Sequence, residues 1–103
     1  MVRGIRIDPG MPPRICKVPD TAQGLDALLG GHSMVKCFSF KDAALVYLPH
    51  DERNTLPTLR YDGRWYYGTL LVMGWKGGRA LPLKTALADE LAETFARREV
   101  PRL

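Results

Sequence analysis

A chain of 103 residues holds one domain, since domains commonly take about 100 to 150 residues and a second would be left without a core. Its 46% hydrophobic and 25% charged residues exclude the composition of disordered chains, and no apolar run approaches the roughly 20 residues that cross a bilayer. The net charge of +4 favours anionic partners mildly, but Arg3, Arg6, Arg14, Lys17, Lys36, Arg53, Arg60, Arg64, Lys76 and Arg79 are scattered, unlike the clustered stripe of a dedicated duplex binder.

The first residues, MVRGIRIDPG, lack the apolar core of a signal peptide, so a cytoplasmic protein is expected. Val2 to Ile7 alternates apolar Val2, Ile5 and Ile7 with Arg3 and Arg6; Asp8-Pro9-Gly10 breaks the pattern before Arg14 to Val18 resumes it, giving two strands. Asp20 or Thr21 can cap a helix with Leu25, Leu28 and Leu29 on one face, and Gln23 stands three after Asp20 as in a capping box. Gly30-Gly31 ends that helix. Ser33 to Phe40 alternates again, Lys41-Asp42 offers a turn, and Ala43 to Leu48 completes a hairpin.

Pro49 opens a polar loop, HDERNTLP, after which Leu59 to Tyr61 and Arg64 to Trp75 form an aromatic ribbon around the turn dipeptide Asp62-Gly63. Gly68 marks a bulge or bend, and Lys76-Gly77-Gly78 turns the chain again. Thr85 can cap a last helix running to about Arg98, with Leu87, Leu91 and Phe95 on one stripe, Ala88 and Ala92 beside it, and Glu93 paired with Arg97. The sum is an α+β domain: a single antiparallel sheet of about five strands with one face under two helices.

Catalytic material is thin. Cys16 and Cys37 lack metal-ligand spacing and are expected as buried or half-buried thiols rather than a disulfide. His50-Asp51-Glu52 is contiguous, and adjacent residues rarely converge on one ion, although His32 could meet that loop in space. Neither glycine-rich phosphate-loop motif occurs, so no cofactor and no nucleotide-dependent catalysis are expected. Along Arg64-Trp65-Tyr66-Tyr67, alternate residues face opposite ways, so Arg64 with Tyr66 and Trp65 with Tyr67 make two surfaces, one in the core. The other would set an aromatic ring beside a guanidinium, which suits a base and its phosphate; cross-strand aromatic packing explains the same residues without a ligand.

The order of Leu25-Asp26-Ala27-Leu28-Leu29-Gly30-Gly31, the acidic loop Glu52 to Asn54, Leu56-Pro57, the Gly-bounded strand Gly68-Thr69-Leu70-Leu71-Val72-Met73-Gly74, and Leu83 to Leu87 opening the last helix resembles a family of small domains of unknown function from bacteria and their phages. The family has an asparagine soon after Leu-Pro, where this chain has Thr58-Leu59-Arg60. The resemblance implies a non-catalytic accessory protein of a phage or mobile element. Such a protein would bind a small anionic ligand such as a signalling nucleotide, sequestering it from an antiviral system. On that reading Arg60, Arg64, Tyr66, His50, Glu52, Asn54 and Gly31 line a pocket completed by a second subunit of a homo-oligomer. An inhibitor of a host protein and a weak nucleic-acid-binding module are the alternatives.

Overall fold

The run Leu70 to Met73 has no polar residue and no alternation, which suits a strand covered on both faces, and the fold is built around it. The computed structural model describes residues 1–39, 42–49 and 56–99. In chain order it contains β1 (Val2–Ile7), β2 (Arg14–Val18), α1 (Ala22–Leu29), β3 (Met34–Cys37), β4 (Ala43–Tyr47), β5 (Pro57–Tyr61), β6 (Arg64–Tyr67), β7 (Leu70–Lys76), β8 (Arg79–Leu81) and α2 (Thr85–Ala96). The α+β class is as expected: antiparallel strands with two helices.

The main sheet has six strands in the order β2-β1-β7-β4-β3, with β8 attached to β7. β4 lies along one side of β7 from Leu71 to Gly74; on the other side β1 pairs with Leu70 to Val72 and β8 with Gly74 to Lys76. Leu83 then donates its amide to the Arg3 carbonyl at 2.9 Å, and the Arg3 guanidinium bonds the Leu83 carbonyl at 2.8 Å, so the chain after β8 runs on beside β1.

The aromatic stretch is not one ribbon. β5 and β6 form a two-stranded sheet of their own, and β7 belongs to the main sheet. Gly68 separates them: its φ of 71° lies in the left-handed region that a β-branched or aromatic residue would resist. Its amide donates to Leu56 at 3.0 Å and its carbonyl accepts the Thr58 hydroxyl, which holds the redirected backbone. β8 was not foreseen, being only three residues long.

The two helices lie on opposite faces of the main sheet rather than together on one. Leu25 and Leu29 of α1 pack with Val18, Val46, Leu71 and Met73, whereas Leu91 and Phe95 of α2 pack with Ile5, Leu45, Leu70 and Val72. Leu59 and Tyr66 of the ribbon join the α2 side. Strand alternation sends Leu71 and Val72 to opposite faces, so a run apolar at every position needs a cover on each.

Boundaries differ in small ways. Thr21 caps α1, accepting from the Gly24 amide at 3.1 Å; three residues on stands a glycine, so no reciprocal capping box forms. Lys84, not Thr85, holds the cap position of α2 and makes no side-chain cap bond, and the helix ends at Ala96. Glu93 and Arg97 are paired as expected. Phe40 and Lys41 lie outside the described residues. Among the described residues no helix is long and apolar enough to cross a membrane.

Candidate functional site

Asp62 and Gly63, with φ of 53° and 76°, supply the two left-handed positions of a tight hairpin and thereby fix the ribbon's register. Leu59 pairs with Tyr66, Arg60 with Trp65 and Tyr61 with Arg64. Directly paired residues share a face, so Leu59, Tyr61, Arg64 and Tyr66 turn one way and Arg60 and Trp65 the other.

The first face is the inner one. Tyr66 is 3% exposed and meets Tyr47 of β4 edge to face, with ring centres 4.8 Å apart at 74°. Burial pushes the Tyr66 phenol above its ordinary range, and Tyr47 adds to the rise against the opposing pull of Arg64. Tyr61 meets Phe38 in the same manner at 4.8 Å and 80°. Over this aromatic floor lies the exposed Arg64, its guanidinium carbon 5.2 Å from the centre of the Tyr66 ring and 5.5 Å from that of Tyr47. Tyr66, expected to touch a ligand, is packed into the core, with the Arg64 guanidinium over its ring. Among the described residues Arg64 has no carboxylate partner.

Arg60 does not converge with Arg64. On the outer face it stands opposite the half-buried Trp65, with Glu99 at 3.7 Å. Gly31 sits at the end of α1, where a side chain would touch Leu48, and its amide donates to the Asp26 carbonyl at 3.1 Å. His50, Glu52 and Asn54, with Asp51, lie outside the described residues. The structure therefore joins Arg64 to Tyr66 and sets Arg60 on the opposite face.

Several other titratable groups have structural employment. Asp26 accepts both the Ser33 hydroxyl at 2.6 Å and the Ser33 amide at 2.9 Å, which hold its carboxyl below the usual carboxylate range; His32 lies 3.8 Å away with its ring in solvent. Serine, histidine and aspartate are thus neighbours, but the hydroxyl donates to the carboxylate and no imidazole activates it. Arg98 spends its guanidinium on the carbonyls of Thr58, Phe95, Asp8 and Met11, and burial lowers its pKa. Cys16 is a half-buried free thiol and Cys37, expected to be covered, is an exposed one at the sheet edge. Among the described residues no group of three His, Cys, Asp or Glu side chains could hold a metal ion.

The sequence shows Lys76 and Arg79 among its scattered basic residues without saying that they meet. They flank Gly77-Gly78, and the two-residue turn was the signal that they stand face to face across a hairpin.

No family model, no curated protein and no solved structure matches this chain.

Proposed function

We propose that the protein is a non-catalytic binder of a small anionic ligand, with Arg64 as the contact that recognises it. The observation that carries this reading is the Arg64 guanidinium, placed over Tyr47 and Tyr66 without a carboxylate among the described residues. Tyrosine rings below a guanidinium steady it without consuming its N–H donors, and a guanidinium so held can bind a phosphate edge-on in bidentate fashion. The outer plane of the same group offers a surface for a nucleobase. A signalling nucleotide satisfies both, and sequestration of it by a homo-oligomer of mobile-element origin is the biological role this reading assigns, on the resemblance in the sequence. The cytoplasm is the compartment in which such a ligand is met.

The test is a thermal-shift screen of the full chain against linear and cyclic nucleotides at low and raised salt, repeated with Arg64→Ala. A ligand at a hundred times its dissociation constant stabilises a fold by about 2.7 kcal/mol, a shift of several degrees. The expected result is a shift for one nucleotide class that Arg64→Ala removes while Arg60→Ala leaves most of it. A flat screen, or a shift indifferent to Arg64→Ala, overturns the proposal. Affinity for nucleic acid that collapses steeply with salt supports the nucleic-acid module in its place.

A further inference from the structure

The β7–β8 hairpin presents an arrangement that costs stability in isolation. Lys76 and Arg79 are direct cross-strand partners beside the Gly77-Gly78 turn, so their side chains rise from the same face. Like charges placed directly opposite each other destabilise a strand pair, and among the described residues neither has an acidic partner. Most of the other described cations are occupied: Arg6 and Arg14 by Asp8, Lys36 by Asp62, Arg97 by Glu93, and Arg3 and Arg98 by carbonyls. Lys84 adds a third exposed positive charge at the entry to α2, whose first turn holds no acidic residue to offset it.

Lys76 and Lys84 both line a groove of about 540 Å³ between this hairpin and the first turns of α2. Its wall is apolar, formed by Leu81, Pro82, Ala86 and Leu87. Gly74 lets the two sides close together, since a Cβ there would lie 2.8 Å from the Leu81 carbonyl oxygen. The volume falls within the roughly 300 to 1,000 Å³ of small-molecule sites. Asp42 and Glu90 also border the groove, so its lining sets two carboxylates beside two lysines, a mixture that disfavours an extended polyanion such as a nucleic acid.

We propose that this groove is a second ligand site, taking a small organic anion whose phosphate or carboxylate head meets Lys76 and Lys84 and whose apolar body lies on Leu81, Pro82 and Leu87. It shares no residue with the Arg64 platform, so it stands or falls separately.

The experiment is a titration of the full, isotope-labelled chain with phenyl phosphate, followed by amide NMR, with inorganic phosphate and a short DNA duplex as comparisons. The expected result is saturable shifts confined to Asp42 and residues 74–90 at one equivalent, weakened about tenfold or more by Lys76→Gln with Lys84→Gln and left in place by Lys17→Gln and Arg64→Ala. All of these side chains are exposed, so the variants fold, and an unchanged amide spectrum without ligand verifies it. Absence of saturable shifts in those residues, or equal weakening by Lys17→Gln, overturns the site. Inorganic phosphate binding as tightly as phenyl phosphate overturns the apolar half of the ligand, and preferential binding of the duplex replaces the small anion with nucleic acid.

Discussion

Asp8 shows how one carboxylate can hold three segments of the chain. It stands just after β1, accepts the Thr69 hydroxyl at 2.7 Å and the Arg6 Nε at 3.1 Å, and has Arg14 at 3.5 Å. Its own carbonyl accepts from Arg98 at 3.3 Å, which carries the tie to the end of α2. Burial disfavours its ionised form, but the Thr69 hydroxyl, Arg6 and Arg14 outweigh that and leave its pKa lowered. A carboxyl whose folded pKa lies below its unfolded value contributes stability that is complete above the unfolded pKa, about 3.9, and is lost as pH falls through the folded one. Asp26 is shifted in the same direction by Ser33 and acts in the same window. The melting temperature is therefore expected to hold steady near neutrality and to decline from about pH 4 downward. Asp8→Asn should lower it at neutral pH and make the acid decline shallower, as scanning calorimetry across that range would register. An acid decline in Asp8→Asn as steep as in the parent would show that the carboxylate is not the group responsible.

At the scale of elements, the close approach at Gly74 decides whether β8 exists. A strand of three residues has little stability of its own, and β8 persists because Gly74, Trp75 and Lys76 pair with it while the Leu81 and Pro82 carbonyls come against a glycine. Gly74→Ala places a Cβ 2.8 Å from one carbonyl oxygen and 3.1 Å from the other, and both neighbours are backbone that can yield only if the segment moves. The expected cost is about 1–3 kcal/mol, with amide protection lost along β7–β8 but kept along β1–β2 in hydrogen exchange. Uniform loss of protection would place the strain elsewhere. The sequence told of Gly74 only as the boundary of an apolar run, because a carbonyl arriving from seven residues later leaves no mark in local pattern. Helix stripes, the Asp62-Gly63 turn and the alternation that pairs Arg64 with Tyr66 were legible because each is a local rule. The separation of Arg60 from Arg64 was in principle legible too: a two-residue turn fixes the register, and the register assigns the faces.

For the whole molecule, the question is whether the layers unfold together. A continuous apolar strand does not say which face a given helix will cover, and so the placement of α1 opposite α2 and the ribbon emerges only in three dimensions. β7 then joins both cores: Leu71 and Met73 pack toward α1, Leu70 and Val72 toward α2 and the ribbon, and all four are fully buried. A strand common to two cores cannot lose one layer without exposing an apolar face of the sheet, so unfolding is expected to be cooperative, as in most single domains of this size. The two tryptophans provide the test, since Trp75 packs on the α1 side and Trp65 belongs to the ribbon. In the single-tryptophan proteins Trp65→Phe and Trp75→Phe, the added substitution Leu71→Ala removes contacts only on the α1 side and should cost about 2–5 kcal/mol. Chemical denaturation followed by fluorescence should then shift by the same free energy in both backgrounds, with the far-ultraviolet circular dichroism transition coincident. A shift seen by Trp75 and absent at Trp65 would mean that α1 detaches while the ribbon, α2 and the sheet face between them remain folded, and β7 would bind the two cores mechanically without coupling them.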